Sequence, residues 1–188
     1  MLIEKFAIPF FKYSLDNWEE KKKIILDSLP DYKKFKLENN NIKHGNADVN
    51  HYSDYFQNFD TVPEYADQVI TCVMEEITKF CDATKTDWRM TNLWFQAYEK
   101  YNNFSIHNHG PEGWSAVLYV EFNKKNHCST IFYSPHPSWN KETLGTYQSY
   151  IPEVSEGDLI IFPASIQHEA SSNFSDEKRT IISFNLKQ

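Results

Sequence analysis

The sequence predicts a mainly β, α+β fold, a double-stranded β-helix or jelly roll braced by N-terminal helices. Three observations carry this expectation. After Trp88 the apolar pattern takes period two and breaks into eight short segments, at about 89–99, 103–109, 114–122, 128–134, 147–152, 157–162, 167–172 and 179–187. Before Trp88, one helical stripe repeats at three- and four-residue spacing through Tyr65, Ala66, Val69, Ile70, Val73, Ile77 and Phe80. Finally, His107 and His109 close one predicted strand while His168, far downstream, opens another, as expected of a barrel with a metal in its mouth.

In chain order, residues 2–13 read as a strand, and Asp16 is the expected N-cap of a helix running through Trp18, Glu19, Glu20 and Ile25 to about Leu29, before Pro30. Lys21, Lys22 and Lys23 beside Glu19 and Glu20 make a solvated face rather than a basic binding patch. From Asp31 to Asp60 the chain is polar, rich in Asn and Asp and without a hydrophobic period, so a long loop is expected. His44 and His51 are candidates to reach into a site as a lid, with Tyr52, Tyr55 and Phe56 across substrate, although surface or core roles are commoner for each. Pro63 to about Thr84 is the clearest helix, in which Cys72 and Cys81 read as packing residues.

Turn chemistry separates most of the strands: Tyr101-Asn102-Asn103, Gly110-Pro111-Glu112-Gly113, Asn123-Lys124-Lys125-Asn126, Pro135-His136-Pro137, Ser155-Glu156-Gly157 and Phe174-Ser175-Asp176. A chain of 188 residues suits one domain, with 1–88 as strand, helices and loop supporting a core at 89–188.

A net charge of −7 offers nothing broad and basic to a phosphate backbone, so nucleic acid is not an expected partner. Three cysteines, Cys72, Cys81 and Cys128, without a CxxC pair argue against a disulfide framework and for a reducing, cytoplasmic setting. Met1–Phe10 carries Glu4 and no long apolar run, so neither a signal peptide nor a membrane span is expected.

On an extended segment His107 and His109 leave the same face, and their imidazoles can share one ion. In a jelly roll the second and seventh strands are neighbours, which brings His168 to the pair. Neutral imidazoles suit divalent Fe, Co, Ni, Cu or Zn, and three protein ligands leave positions open for substrate or oxygen. His127 and His136 read as ordinary loop histidines. Arg179 opens the last strand, whose period two puts Arg179, Ile181, Ser183 and Asn185 on one face. If that face is interior, the guanidinium implies an anionic ligand; the alternative is a surface arginine paired with Asp176 or Glu177.

Five stretches together resemble the iron(II)- and 2-oxoglutarate-dependent oxygenases, especially the prolyl-4-hydroxylase-like group and small bacterial and phage members: His107-Asn108-His109, Ser115–Tyr119, Gly157–Pro163, His168, and Arg179 with Ser183-Phe184-Asn185. The resemblance covers about residues 89–188. It implies Fe(II) held by His107 and His168, 2-oxoglutarate as cosubstrate with Arg179 on its distal carboxylate, and Ser183, Tyr98 and Tyr119 completing the cosubstrate pocket. It further implies hydroxylation of a prolyl or other amino-acid residue, with decarboxylation of 2-oxoglutarate to succinate, molecular oxygen consumed, and ascorbate as a compatible accessory. The substrate is a small molecule or a peptide, and no oligomeric state follows.

His109 stands where the commonest relatives carry Asp or Glu. Three arrangements are open: a three-histidine site, favoured by the one-residue spacing; His109 behind the ligands with water in third place; or a carboxylate such as Glu112. A cupin metalloenzyme, with Glu112 as fourth ligand and Asn173 after the second motif, is the rival enzyme, and a non-catalytic jelly-roll binding protein the rival class. The 30–60 loop and the Ser134–Thr146 insertion with Trp139 are expected to shape substrate choice.

Overall fold

The computed structural model describes residues 8–38, 49–55, 62–135 and 149–188. A short strand β1 (Phe11–Ser14) leads into helix α1 (Trp18–Ser28), a 3-10 turn (Tyr32–Phe35), β2 (Lys36–Glu38), β3 (Val49–Ser53) and helix α2 (Ala66–Thr84). The eight predicted segments follow as β4 (Arg89–Tyr98), β5 (Asn103–His107), β6 (Trp114–Glu121), β7 (Ile131–Tyr133), β8 (Ser149–Tyr150), β9 (Asp158–Pro163), β10 (His168–Ala170) and β11 (Arg179–Lys187).

Two expectations are corrected. Asn17, not Asp16, precedes α1; it is left-handed (φ 53°) and its side chain makes no cap hydrogen bond. The stretch from Asp31 to Asp60 is not simply a loop, because β2 and β3 lie within its described part. In β3 the buried positions are Val49, His51 and Ser53, so the inward face is largely polar and carries no hydrophobic alternation for a pattern to detect.

The strands form one curled antiparallel sheet in the order β1-β9-β6-β11-β4-β3-β5-β10-β7-β8, with β2 on the other edge of β3. β3 joins the halves: Tyr52 and Ser53 pair with Ala97 and Gln96 of β4, while Val49 and Asn50 pair with Phe104 and Asn103 of β5. This is the jelly-roll arrangement, β4, β11, β6 and β9 on one side and β5, β10, β7 and β8 on the other.

Period two sorts the side chains between two cores. Ala116, Leu118 and Val120 of β6 and Ile182, Phe184 and Leu186 of β11 face the helices, against Val69, Val73, Ile77 and Phe80 of α2. Val117, Tyr119 and Ile181 face inward with Tyr98, Phe132, Ile160 and Phe162. Phe80 is fully buried and meets Phe11 and Trp114 edge-on, so Phe80→Ala should cost about 3–5 kcal/mol. Cys72 packs in the helix-facing core as expected. No helix among the described residues is long and apolar enough to cross a membrane.

Candidate metal centre

His107 is the last residue of β5 and His168 the first of β10, and the two are direct register partners. His109, just past β5, is tethered by its backbone N–H, which donates to the Ala164 carbonyl at 2.8 Å. The Gly110–Gly113 turn then enters β6, and it closes tightly: Gly113 has φ +82°, and an added Cβ would lie 2.4 Å from the Leu186 carbonyl oxygen. The ring centroids of the three histidines lie 4.3–5.3 Å apart, and one ligand atom from each falls within 4.8 Å of the others.

Each imidazole is oriented through Nδ1. His107 Nδ1 donates to the Ser105 carbonyl at 2.8 Å, His168 Nδ1 to the Ile166 carbonyl at 2.9 Å, and His109 Nδ1 to Asn185 Oδ1 at 2.9 Å. These oxygens only accept, so the proton sits on Nδ1 and the Nε2 lone pair is left for a ligand. Burial pushes the His107 imidazole down to about 3, with the neighbouring His109 adding to the effect. Burial likewise lowers His168, reinforced by His107 and His109, and lowers His109 against the opposing bond to Asn185. At neutral pH all three are neutral, the form that binds metal.

Among the described residues, these three histidines are the group of His, Cys, Asp and Glu side chains able to share an ion. Glu112 is exposed in its turn and outside that group, and Asn173 instead holds the Tyr98 and Glu177 carbonyls. The cupin ligand set is therefore not assembled. His127 is an ordinary turn residue, hydrogen-bonded to Asn123 N–H and the Glu177 carbonyl.

Arg179 opens β11 opposite Tyr98, is 3 % exposed, and lies 4.4 Å over the Tyr98 ring. The surface alternative is not realised, since Asp176 pairs with Lys100 and Glu177 with Asn123 and Asn126. Arg179 Nη1 and Nη2 donate to the Cys128 and Ser171 carbonyls at 2.6 and 3.2 Å. Its Nε and the Tyr98 hydroxyl are buried without a partner among the described residues. Buried donors are normally satisfied, so these two, side by side at one register position, are open to an acceptor.

Tyr98 and the three histidines line one narrow cavity of about 20 Å³, together with Gln96, Thr130, Val117, Ile181 and Ser183. Ser183 Oγ donates to Gln96 Oε1 at 3.1 Å, and the Tyr119 hydroxyl is engaged with Thr130 through two hydrogen bonds. His51 is no lid: it is 1 % exposed, stacked between Tyr98 and Phe104. His44, Phe56, His136 and Trp139 lie outside the described residues. The part played by Asn185, and by Ser115, whose hydroxyl donates to the same Asn185 Oδ1 at 2.8 Å, was not read from the sequence. Its signal was present, because period two already set Asn185 on the Arg179 face.

A family model described as "Putative 2OG-Fe(II) oxygenase" matches residues 92–185, half of the chain. The chain belongs to that 2OG-Fe(II) oxygenase family. It is accordingly an enzyme that uses Fe(II) and 2-oxoglutarate. The solved structures it resembles share the fold at low identity. A Pseudomonas putida prolyl-4-hydroxylase has TM-score 0.63 and 11 % identity over 97 % of this chain and 94 % of that one. A Trichoplax adhaerens prolyl hydroxylase, solved with a peptide fragment of the hypoxia inducible factor oxygen degradation domain, has TM-score 0.62 and 13 % identity over 94 % and 82 %. AviO1 of Streptomyces viridochromogenes Tue57 has TM-score 0.65 and 12 % identity over 96 % and 90 %. No curated protein matches the chain in sequence.

The residues present fit the oxygenase's two groups. Three Nε2 lone pairs converge where a divalent ion fits. Arg179 Nε and the Tyr98 hydroxyl are buried donors without a partner among the described residues, which suits a carboxylate. With no carboxylate among them, the three histidines would leave a bound divalent metal its full positive charge, which would strengthen the pull on a dianionic cosubstrate.

Proposed function

We propose that this oxygenase hydroxylates an aliphatic C–H bond of a small molecule or an amino-acid residue, with His107, His109 and His168 holding Fe(II) through Nε2. The observation that carries the reading is the pair of buried donors without a partner among the described residues, Arg179 Nε and Tyr98 Oη, the second of which lines the same cavity as the histidines. Iron(II) and 2-oxoglutarate supply the oxidation, in which oxygen is consumed, 2-oxoglutarate is decarboxylated to succinate, and a hydroxyl is added to the substrate.

The chain's own residues supply position. Arg179 offers Nε–H and a remaining Nη–H as a planar edge to the distal carboxylate, while the Cys128 and Ser171 carbonyls fix the guanidinium from behind. The Tyr98 hydroxyl adds a third donor. Ser183 joins the cosubstrate once it exchanges its bond to Gln96, and Tyr119, held by Thr130, forms the wall. Phe104 against His107, and Phe162 and Phe132 against His168, keep water from the ligands. A prolyl residue is the reading motivated by the prolyl hydroxylases of this fold.

The test is succinate formation from 2-oxoglutarate by anaerobically purified protein given Fe(II) and then oxygen, without added substrate. Slow turnover abolished in both Arg179→Ala and His168→Ala is expected. Iron binding with no consumption of 2-oxoglutarate would remove the proposal.

A further inference from the structure

The interior face of β4 and β11 is a ladder of register pairs: Tyr98 with Arg179, Gln96 with Ile181, Trp94 with Ser183, Asn92 with Asn185, and, beyond a bulge, Arg89 with Lys187. The first rung holds the unpartnered donors at the deep end. The last rungs reach the mouth, where Tyr55, Asn92, Trp94, His109, Asn185 and Lys187 line a cleft of about 180 Å³ that shares His109 with the histidine cavity. Nothing in the cosubstrate site uses this cleft.

Its chemistry is one-sided. Asn185 Oδ1 is occupied by His109 and Ser115, which turns the amide N–H groups away from both. Asn92 Oδ1 accepts from Thr91, which leaves its N–H groups as donors as well. Lys187 adds an exposed cation, and among the described residues no acidic side chain lines the cleft. Beside the Tyr55 hydroxyl and the His109 ring, the polar side chains are therefore two amide donors and an ammonium, a set that favours acceptor oxygens carrying negative charge. The apolar wall is Trp94, whose ring lies 4.8 Å from that of Tyr55 and 5.3 Å from that of His109. A volume well below the roughly 300–1,000 Å³ of drug-sized sites suits a molecule on the scale of one amino acid.

We infer that this cleft binds the carboxylate of a free amino acid or similarly small aliphatic acid, held by Lys187, Asn92 and Asn185, with its carbon skeleton on Trp94 and Tyr55. The skeleton then lies against His109, the residue that the cleft shares with the histidine cavity. The inference rests on His109 being a metal ligand, and it narrows the substrate from any amino-acid residue to a free acid. The inner residue of a peptide has no carboxylate to place there.

The experiment is calorimetric titration of the anaerobic Fe(II)–2-oxoglutarate protein with the proteinogenic L-amino acids, each binder being compared with its C-terminal amide and with a blocked tripeptide containing it. At least one free acid is expected to bind about tenfold or more tightly than its amide, and Lys187→Ala is expected to shrink that ratio to within about threefold. Lys187 is exposed, so the variant should fold, and its thermal midpoint checks that. Amides or blocked tripeptides that bind as well as the acids, a preference unchanged in Lys187→Ala, or no binder in the panel would each overturn the inference. Iron binding and uncoupled succinate formation by the wild type, measured alongside, show whether the oxygenase reading stands when the cleft assignment falls.

Discussion

Arg179→Gln separates a cosubstrate anchor from a structural arginine. In the free protein the guanidinium is buried, gives two hydrogen bonds to carbonyls and has no carboxylate partner among the described residues. Glutamine retains an amide N–H for one of those carbonyls, while removing an unpaired buried cation relieves a desolvation cost; the two changes oppose one another, and the unfolding free energy should move by no more than about 1 kcal/mol. Binding of 2-oxoglutarate is different. A bidentate charge-assisted contact is replaced by at most one neutral hydrogen bond, a loss of about 3 kcal/mol within the roughly 2–5 kcal/mol seen when one partner of a buried charge pair is truncated. That corresponds to about a hundredfold weaker binding. Calorimetric titration of 2-oxoglutarate into the anaerobic Fe(II) protein, with urea denaturation of the metal-free protein, measures both quantities. A 2-oxoglutarate affinity within about threefold of wild type would refute the reasoning, since it would mean that Arg179 serves only Cys128 and Ser171.

Three further outcomes follow from the geometry. Asn185→Ala removes the acceptor that orients His109 and strands the Ser115 hydroxyl, so metal affinity should fall about 10–100-fold, as read by competition with a chelator; an unchanged affinity would place His109 outside the ligand set. Gly113→Ala must move a Cβ off the Leu186 carbonyl at positive φ, at a cost of about 1–3 kcal/mol in urea denaturation together with weaker metal binding, because the turn joins His109 to β6. His51 is held down to about 3 by burial, with His107 and Arg179 adding, so below pH 6.5 the unfolded chain takes a proton that the folded one refuses. Its stabilising contribution is complete above pH 6.5 and is lost as pH falls toward 3, by about 2 kcal/mol at pH 5. His51→Phe, which preserves the stacking shape, should flatten the decline in stability between pH 7 and pH 5 by that amount, and parallel profiles would contradict the assignment.

Most of the barrel was legible because its strands alternate cleanly: Leu118 and Val120 face the helices while Val117 and Tyr119 face inward, and the same parity set Arg179, Ser183 and Asn185 on one interior face. The His-x-His spacing and the neighbouring second and seventh strands sufficed to bring His107 and His168 into register. What escaped was polar and non-local. β3 is buried through His51 and Ser53, residues that read as loop, and their burial depends on Tyr98, Phe104 and the Phe95 carbonyl, all distant in sequence. The pairing of Asn185 with His109 spans two strands of the sheet, and no local pattern announces a hydrogen bond of that kind. Asn17 at the start of α1 shows a smaller limit: a good capping residue at Asp16 was passed over for a left-handed entry one residue later.

The most direct test of the site is anaerobic addition of Fe(II) and then 2-oxoglutarate to the full chain, followed by visible absorption for the charge-transfer band of 2-oxoglutarate chelated to Fe(II). The predicted result is a band saturating at one iron per chain, lost in His107→Ala and His168→Ala, and recovered in Arg179→Gln only at about a hundredfold more 2-oxoglutarate. A band that survives loss of either histidine, or iron bound without any response to 2-oxoglutarate, would contradict the account.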